Sequence, residues 1–103
     1  MAEGLYELST FEERHLKCTA GIIGRKSLLD ILSVSKELTQ KILSAGTIYG
    51  IPQTRIDAHH STCEVRFEGE YNLYSISSAL ESIASKYNSG FYMNVKQVDE
   101  NEL

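Results

Sequence analysis

The chain predicts an α+β fold in the order strand, helix, strand, strand, helix, strand. Two segments repeat apolar residues at helical spacing, three alternate them at every second position, and turn-forming residues separate the segments. The first alternating segment runs from His15 to Ile23, with Leu16, Cys18, Ala20 and Ile22 on one face. A helix follows from about Ser27 to Ser44, where Leu28, Ile31, Leu32, Leu38, Ile42 and Ala45 recur at spacings of three, four and seven. Ser27, with Asp30 three residues on, fits a variant of the capping box. Gly46 is read as a left-handed stop.

Residues 47–52, Thr-Ile-Tyr-Gly-Ile-Pro, are read as a connection, and an apolar one. A fourth, weaker strand from Thr54 to His59 alternates Ile56 and Ala58, and His60-Ser61 turns it into the next. From Thr62 to Tyr71 the alternation resumes with Cys63, Val65 and Phe67. A second helix from Leu73 to Tyr87 carries Leu73, Ile76, Leu80, Ile83 and Tyr87 on one stripe, with Asn72 as its cap and Asn88-Ser89-Gly90 as its exit. Its other side shows Ser75, Ser77, Ser78, Ser82 and Ser85. The last strand, Phe91 to Val98, alternates Phe91, Met93 and Val95.

This order is the ferredoxin-like βαββαβ sandwich, a four-stranded antiparallel sheet with two helices on one face. The first and third strands are expected at the centre, parallel to each other, with Cys18 and Cys63 facing the helices. The opposite face should show His15, Lys17, Thr19, Thr62, Glu64, Arg66, Tyr92, Asn94 and Lys96. At 103 residues the chain is expected to be one domain, with residues 1–12 and 99–103 as flexible ends. A helix-turn-helix reading of residues 33–38 finds no third helix to complete it.

Apolar residues make up 42% and charged residues 23%, which excludes the composition of a disordered chain. Fourteen acidic against ten basic side chains leave a net charge of −4, the wrong sign for phosphate neutralisation, so no nucleic-acid partner is expected. A basic protein partner suits that charge better. No apolar run reaches a membrane-spanning length, and the acidic start Met1-Ala2-Glu3-Gly4 is unlike a secretory signal, so a cytoplasmic protein with no membrane partner is expected. Both cysteines fall on apolar strand faces and are read as reduced, inert thiols.

Few constellations promise chemistry. Gly24-Arg25-Lys26-Ser27 at the first helix start offers amides, two cations and a hydroxyl to a small anion such as a nucleotide or phosphate, without the spacing of a P-loop. His59 and His60 precede Ser61-Thr62 in a His-x-Thr string like the kernel of two-histidine phosphoesterases, but the chain has no second copy of it. Adjacent strand residues point to opposite faces, so the two histidines make a poor metal pair, and neither metal nor cofactor is expected. Glu64, Glu68 and Glu70 share a strand face as an acidic ridge, with Arg66 between them to neutralise it.

The leading expectation is a non-enzymatic regulatory or inhibitory module, homodimeric, that binds a protein through Ile48, Tyr49 and Ile51 as apolar anchors and Glu64, Glu68 and Glu70 as steering charge. The alternatives are the anion binder at Gly24, Arg25, Lys26 and Ser27, and a phosphoesterase-like enzyme using His59 or His60.

Overall fold

The structure, a computed structural model, describes residues 11–24 and 30–98. Its elements are β1 (Arg14–Ile23), α1 (Ile31–Ala45), β2 (Thr47–Asp57), β3 (Thr62–Tyr71), α2 (Leu73–Lys86) and β4 (Gly90–Gln97). The strands form one sheet in the order β2-β3-β1-β4, and every neighbouring pair is antiparallel. The ferredoxin-like order is therefore as expected. The central pair is not parallel as anticipated: β1 runs against β3, because each helical crossover carries the chain past one strand position and the intervening strand fills the gap in the opposite sense.

One layer of side chains joins sheet to helices. Leu16, Cys18, Ala20 and Ile22 from β1, and Cys63, Val65, Phe67 and Tyr71 from β3, are buried against Ile31, Val34, Leu38 and Ile42 of α1 and Ile76, Leu80 and Ile83 of α2. Of the expected stripe of α1, Ile31, Leu38 and Ile42 are buried and Ala45 packs against the core, while Leu28 lies outside the described residues. Leu32 is 60% exposed, whereas Val34 and Ser35 are buried, because an apolar residue at helical spacing is not thereby on the buried side. The two helices are also clasped at the surface, where Glu37 accepts from the Tyr87 hydroxyl (2.6 Å) and from Lys86 Nζ (3.1 Å). Those two donors hold the Glu37 carboxyl below its ordinary pKa, Tyr87 contributing most.

Both helix starts are capped by side chains. Asp30 is itself the N-cap of α1, its carboxylate accepting from the Ser33 amide (3.4 Å) and hydroxyl (2.8 Å), so it does not occupy the third position of a box begun by Ser27. Asn72 caps α2 as expected, accepting from Ser75 N at 2.7 Å. Gly46 ends α1 with φ −171°, an extended rather than left-handed conformation. Its need for glycine is space: a Cβ there would overlap the Tyr71 ring and the Glu70 carbonyl. That ring is fully buried, and its hydroxyl donates to Ile42 O at 2.8 Å, satisfying a carbonyl in the last turn of α1.

Residues 47–52 are strand, not connection. They begin the edge strand β2, where Gly50, Ile51 and Pro52 stand between the paired residues Tyr49 and Gln53 while only Phe67 stands between their partners Glu68 and Arg66. This bulge uses Gly50 at φ +75° and puts Pro52, which has no amide hydrogen, where the ladder is broken.

Candidate functional site

With both helices on one side, the other face of the sheet is uncovered by any described element. The register arranges its side chains in rows across β2, β3, β1 and β4: Tyr49, Glu68, Lys17, Lys96; then Gln53, Arg66, Thr19, Asn94; then Arg55, Glu64, Gly21, Tyr92. Period-two alternation alone puts these residues together, and all nine positions expected on this face lie on β1, β3 or β4 in the described sheet.

Every carboxylate of the expected acidic ridge has a hydrogen-bond partner. Glu64 accepts from the Tyr92 hydroxyl (2.5 Å), Glu68 pairs with His15 Nε2 (2.5 Å), and Glu70 accepts from the Tyr49 hydroxyl (2.6 Å). The contact from Tyr92 spans a whole strand. Its ring crosses β1 at Gly21, where a Cβ would overlap it, so the glycine is what lets a β4 side chain reach β3. Burial, followed by the Glu64 hydrogen bond, pushes the Tyr92 phenol up to about 12. The His15 and Tyr49 rings meet edge to face at 5.1 Å, which joins the second and third pairs into one cluster.

Arg66 was expected to neutralise the ridge, and it does not. It is exposed, and neither it nor Lys17 nor Lys96 forms an ion pair among the described residues. Tyrosine hydroxyls and one imidazole have taken the carboxylates instead, so the three cations are free. Together with Tyr49, Ile51, Thr19, Gln53, Asn94 and Glu68 they line an open hollow of about 630 Å³. That is within the roughly 300–1,000 Å³ of small-molecule sites. Its floor is strand, its rim on one side the apolar bulge of β2.

The expected protein anchors are split by the structure. Ile48 faces inward and packs against the core, Tyr49 is half exposed beside the hollow with its hydroxyl engaged, and Ile51 stands out on the bulge at 88% exposure. Of the expected anion site at the start of the first helix, Arg25, Lys26 and Ser27 lie outside the described residues. Gly24 donates its amide to Ser61 O at 2.7 Å, and the Asp30 carboxylate occupies the first amides of α1, so a second anion there would meet like charge.

His59 and His60 are exposed in the turn between β2 and β3. His60 Nδ1 lies 2.7 Å from Asp57 and its amide donates to the same carboxylate, and these contacts hold Asp57 below its ordinary pKa. His15 lies at the other end of the sheet, opposite Glu70, so the histidines do not converge. The thiols are inert by position, burial pushing Cys18 up to about 12 and Cys63 to about 11. No group of three metal-binding side chains occurs among the described residues. No described helix is long and apolar enough to cross a membrane.

Fold and face together define a ferredoxin-like α+β domain with an uncovered, cation-lined sheet. Particular relatives add little. No family model matches the chain, and no curated protein matches it. Among solved structures it is similar to a formyltetrahydrofolate deformylase from Pseudomonas syringae pv. tomato str. DC3000, at 14% identity and a TM-score of 0.48 over 90% of this chain. The chain spans 30% of that protein's length.

Sequence reasoning placed Lys17, Arg66 and Lys96 on one face without reading them as a site. The signal was present in their shared period-two phase on three strands. What hid it was the assumption that Glu64 and Glu68 consume Arg66.

Proposed function

We propose that this chain is a non-enzymatic binding module, regulatory in role, that takes a small organic anion on the outer face of its sheet. One observation carries the reading: in a chain of net charge −4, three cations without an ion pair among the described residues surround the hollow while the carboxylates nearest them are engaged by neutral or imidazole donors. Arg66 offers a planar fork of donors to a carboxylate or phosphate, and Lys17 and Lys96, cross-strand neighbours, supply the adjacent point charges. Thr19, Gln53 and Asn94 add neutral hydrogen-bonding groups, and Tyr49 and Ile51 offer apolar contact to the rest of the molecule.

The test is thermal unfolding and calorimetric titration against a millimolar panel of inorganic phosphate, nucleotides, and aromatic and aliphatic carboxylates. A ligand at a hundred times its dissociation constant stabilises by about 2.7 kcal/mol, a rise of roughly 11–22 °C in Tm for a domain of this size. Arg66→Ala with Lys96→Ala should abolish the shift, while Arg25→Ala with Lys26→Ala should leave it intact. A panel without any shift, or a shift that survives the first pair, rejects the reading.

A second reading, a protein partner gripped by Tyr49 and Ile51, is favoured by the exposure of Ile51 on the β2 bulge. Ile51→Asp should then abolish capture of that partner from host lysate, and because Ile51 also lines the hollow, Arg66→Ala with Lys96→Ala separates the readings by abolishing the anion response while capture persists.

A further inference from the structure

We propose that a second copy of this chain pairs along the free edge of β4, joining two sheets into one of eight strands. The sheet has two edges, and among the described residues no strand lies outside either. An edge presents unpaired amides and carbonyls that another extended backbone satisfies. The two edges are not equivalent. On β2 the bulge at Gly50-Ile51-Pro52 breaks the ladder, and proline removes a donor, so a regular partner strand cannot run its length. On β4, Gly90–Gln97 pairs with β1 in unbroken register over eight residues and contains no proline.

The side chains of β4 suit their own copy. Phe91, Met93 and Val95 lie on the helix side of the sheet, yet Phe91 and Met93 are 39% and 36% exposed, because the helices do not cover the edge that carries them. A two-fold axis perpendicular to the sheet keeps each face with itself, so these apolar residues of one copy meet the same set of the other. The only charge on β4 is Lys96. With the axis at Met93, Lys96 faces Gly90 of the other copy, and with the axis at Asn94 it faces Tyr92. In neither register does Lys96 meet Lys96, so the pairing avoids the like-charge contact that penalises wrong strand partners.

A single pair of eight-residue strands lies toward the small end of stable interfaces, which begin near about 1,200 Å² in total. The dimer should therefore dissociate on dilution. Asn94 and Lys96 bring the rim of the anion hollow to the same edge, so pairing sets two hollows side by side on one continuous face. The pairing itself does not depend on any ligand.

Analytical ultracentrifugation of the full chain should show a mass moving from 11.6 kDa toward twice that value as concentration rises to about 100 µM. Met93→Lys should shift this midpoint upward at least tenfold, with a melting curve like that of wild type in dilute solution, where both are monomers. Hydrogen exchange of wild type follows the same surface without a variant: the amides of residues 90–97 that point away from β1 should slow at least tenfold from the dilute to the concentrated sample, while those of Gly50 and Ile51 do not change. A monomer at every concentration overturns the proposal, as does a dimer that Met93→Lys leaves intact. So does concentration-independent protection of those edge-facing amides, the result expected if another part of the same chain covers the edge.

Discussion

Replacing Gly21 by alanine tests how the outer face is assembled. The methyl group would occupy the space of Cζ, Cε1 and the hydroxyl of Tyr92, with the ring pinned between β1 and its acceptor on β3. The ring must swing off the sheet, and it takes with it a hydrogen bond to a carboxylate, worth roughly 1.5–3 kcal/mol, at the lower end here because the pair is only part-buried. Alanine returns about 0.5–1 kcal/mol, since glycine is the poorer residue inside a strand. The net expectation for Gly21→Ala is a loss of about 1–1.5 kcal/mol, a fall in Tm of roughly 4–12 °C. In a Tyr92→Ala background the ring that the methyl group would meet is gone, and the same substitution should stabilise by about 0.5–1 kcal/mol. The coupling energy from the four urea unfolding curves is then about 2 kcal/mol. Equal effects of Gly21→Ala in both backgrounds would refute the claim that the glycine exists to let Tyr92 cross.

Three further outcomes follow from the same contacts. Tyr71→Phe removes the hydroxyl that donates to Ile42 O in a fully buried site and should cost about 1–3 kcal/mol in chemical denaturation, with the ring packing intact. The phenol of Tyr92 is held near 12 when folded against about 10 when unfolded, so the native state retains the proton more strongly; the stability this confers is complete below pH 10 and is lost as pH rises from 10 to 12, visible as a falling urea midpoint that Tyr92→Phe flattens. Cys18 and Cys63 should resist a thiol reagent at pH 8 in the native protein and react fully in denaturant; a fast native phase would contradict their burial.

The strands β1 and β3 and the helix α2 were legible because one face of each is wholly buried and the other largely wet, which imposes a clean period on the residues. The start of β2 was not legible. An edge strand with a bulge puts Ile48 inward and Ile51 outward, and three residues against one destroy the alternation that marks a strand. Gly46 was read as a backbone-conformation glycine because spacing in the sequence cannot show that an aromatic ring from Tyr71, twenty-five positions away, will press on it. The outer-face residues were correctly grouped, but their partners were not. Arg66 is two positions from both Glu64 and Glu68 in sequence, and proximity suggested pairing; the actual donors, Tyr92, His15 and Tyr49, come from three other strands. Which polar groups pair on a sheet is a long-range property, set by register across strands.

Register also exposes a conflict between stability and the proposed ligand. Lys17 and Lys96 are direct cross-strand partners on the same face of the sheet, and like charges so placed destabilise a strand pair by a few tenths to about 1 kcal/mol. Glu68 is the cross-strand partner of Lys17 on the other side, but its carboxylate is engaged with His15 and forms no ion pair with the lysine. A fold selected for stability alone would place opposite charges there; a site that must hold an anion gains from the two cations it leaves adjacent. Lys96→Glu should therefore raise the urea midpoint by an amount equivalent to about 0.5–1 kcal/mol, through a new pair with Lys17, and at the same time abolish the ligand-induced thermal shift. Lys96→Gln, which removes the repulsion without supplying attraction, should fall between wild type and Lys96→Glu in stability, and its thermal shift should be reduced. If Lys96→Glu proves less stable than wild type, the two ammonium groups do not repel across the strands, and if it binds the anion as wild type does, the cationic row is not the site.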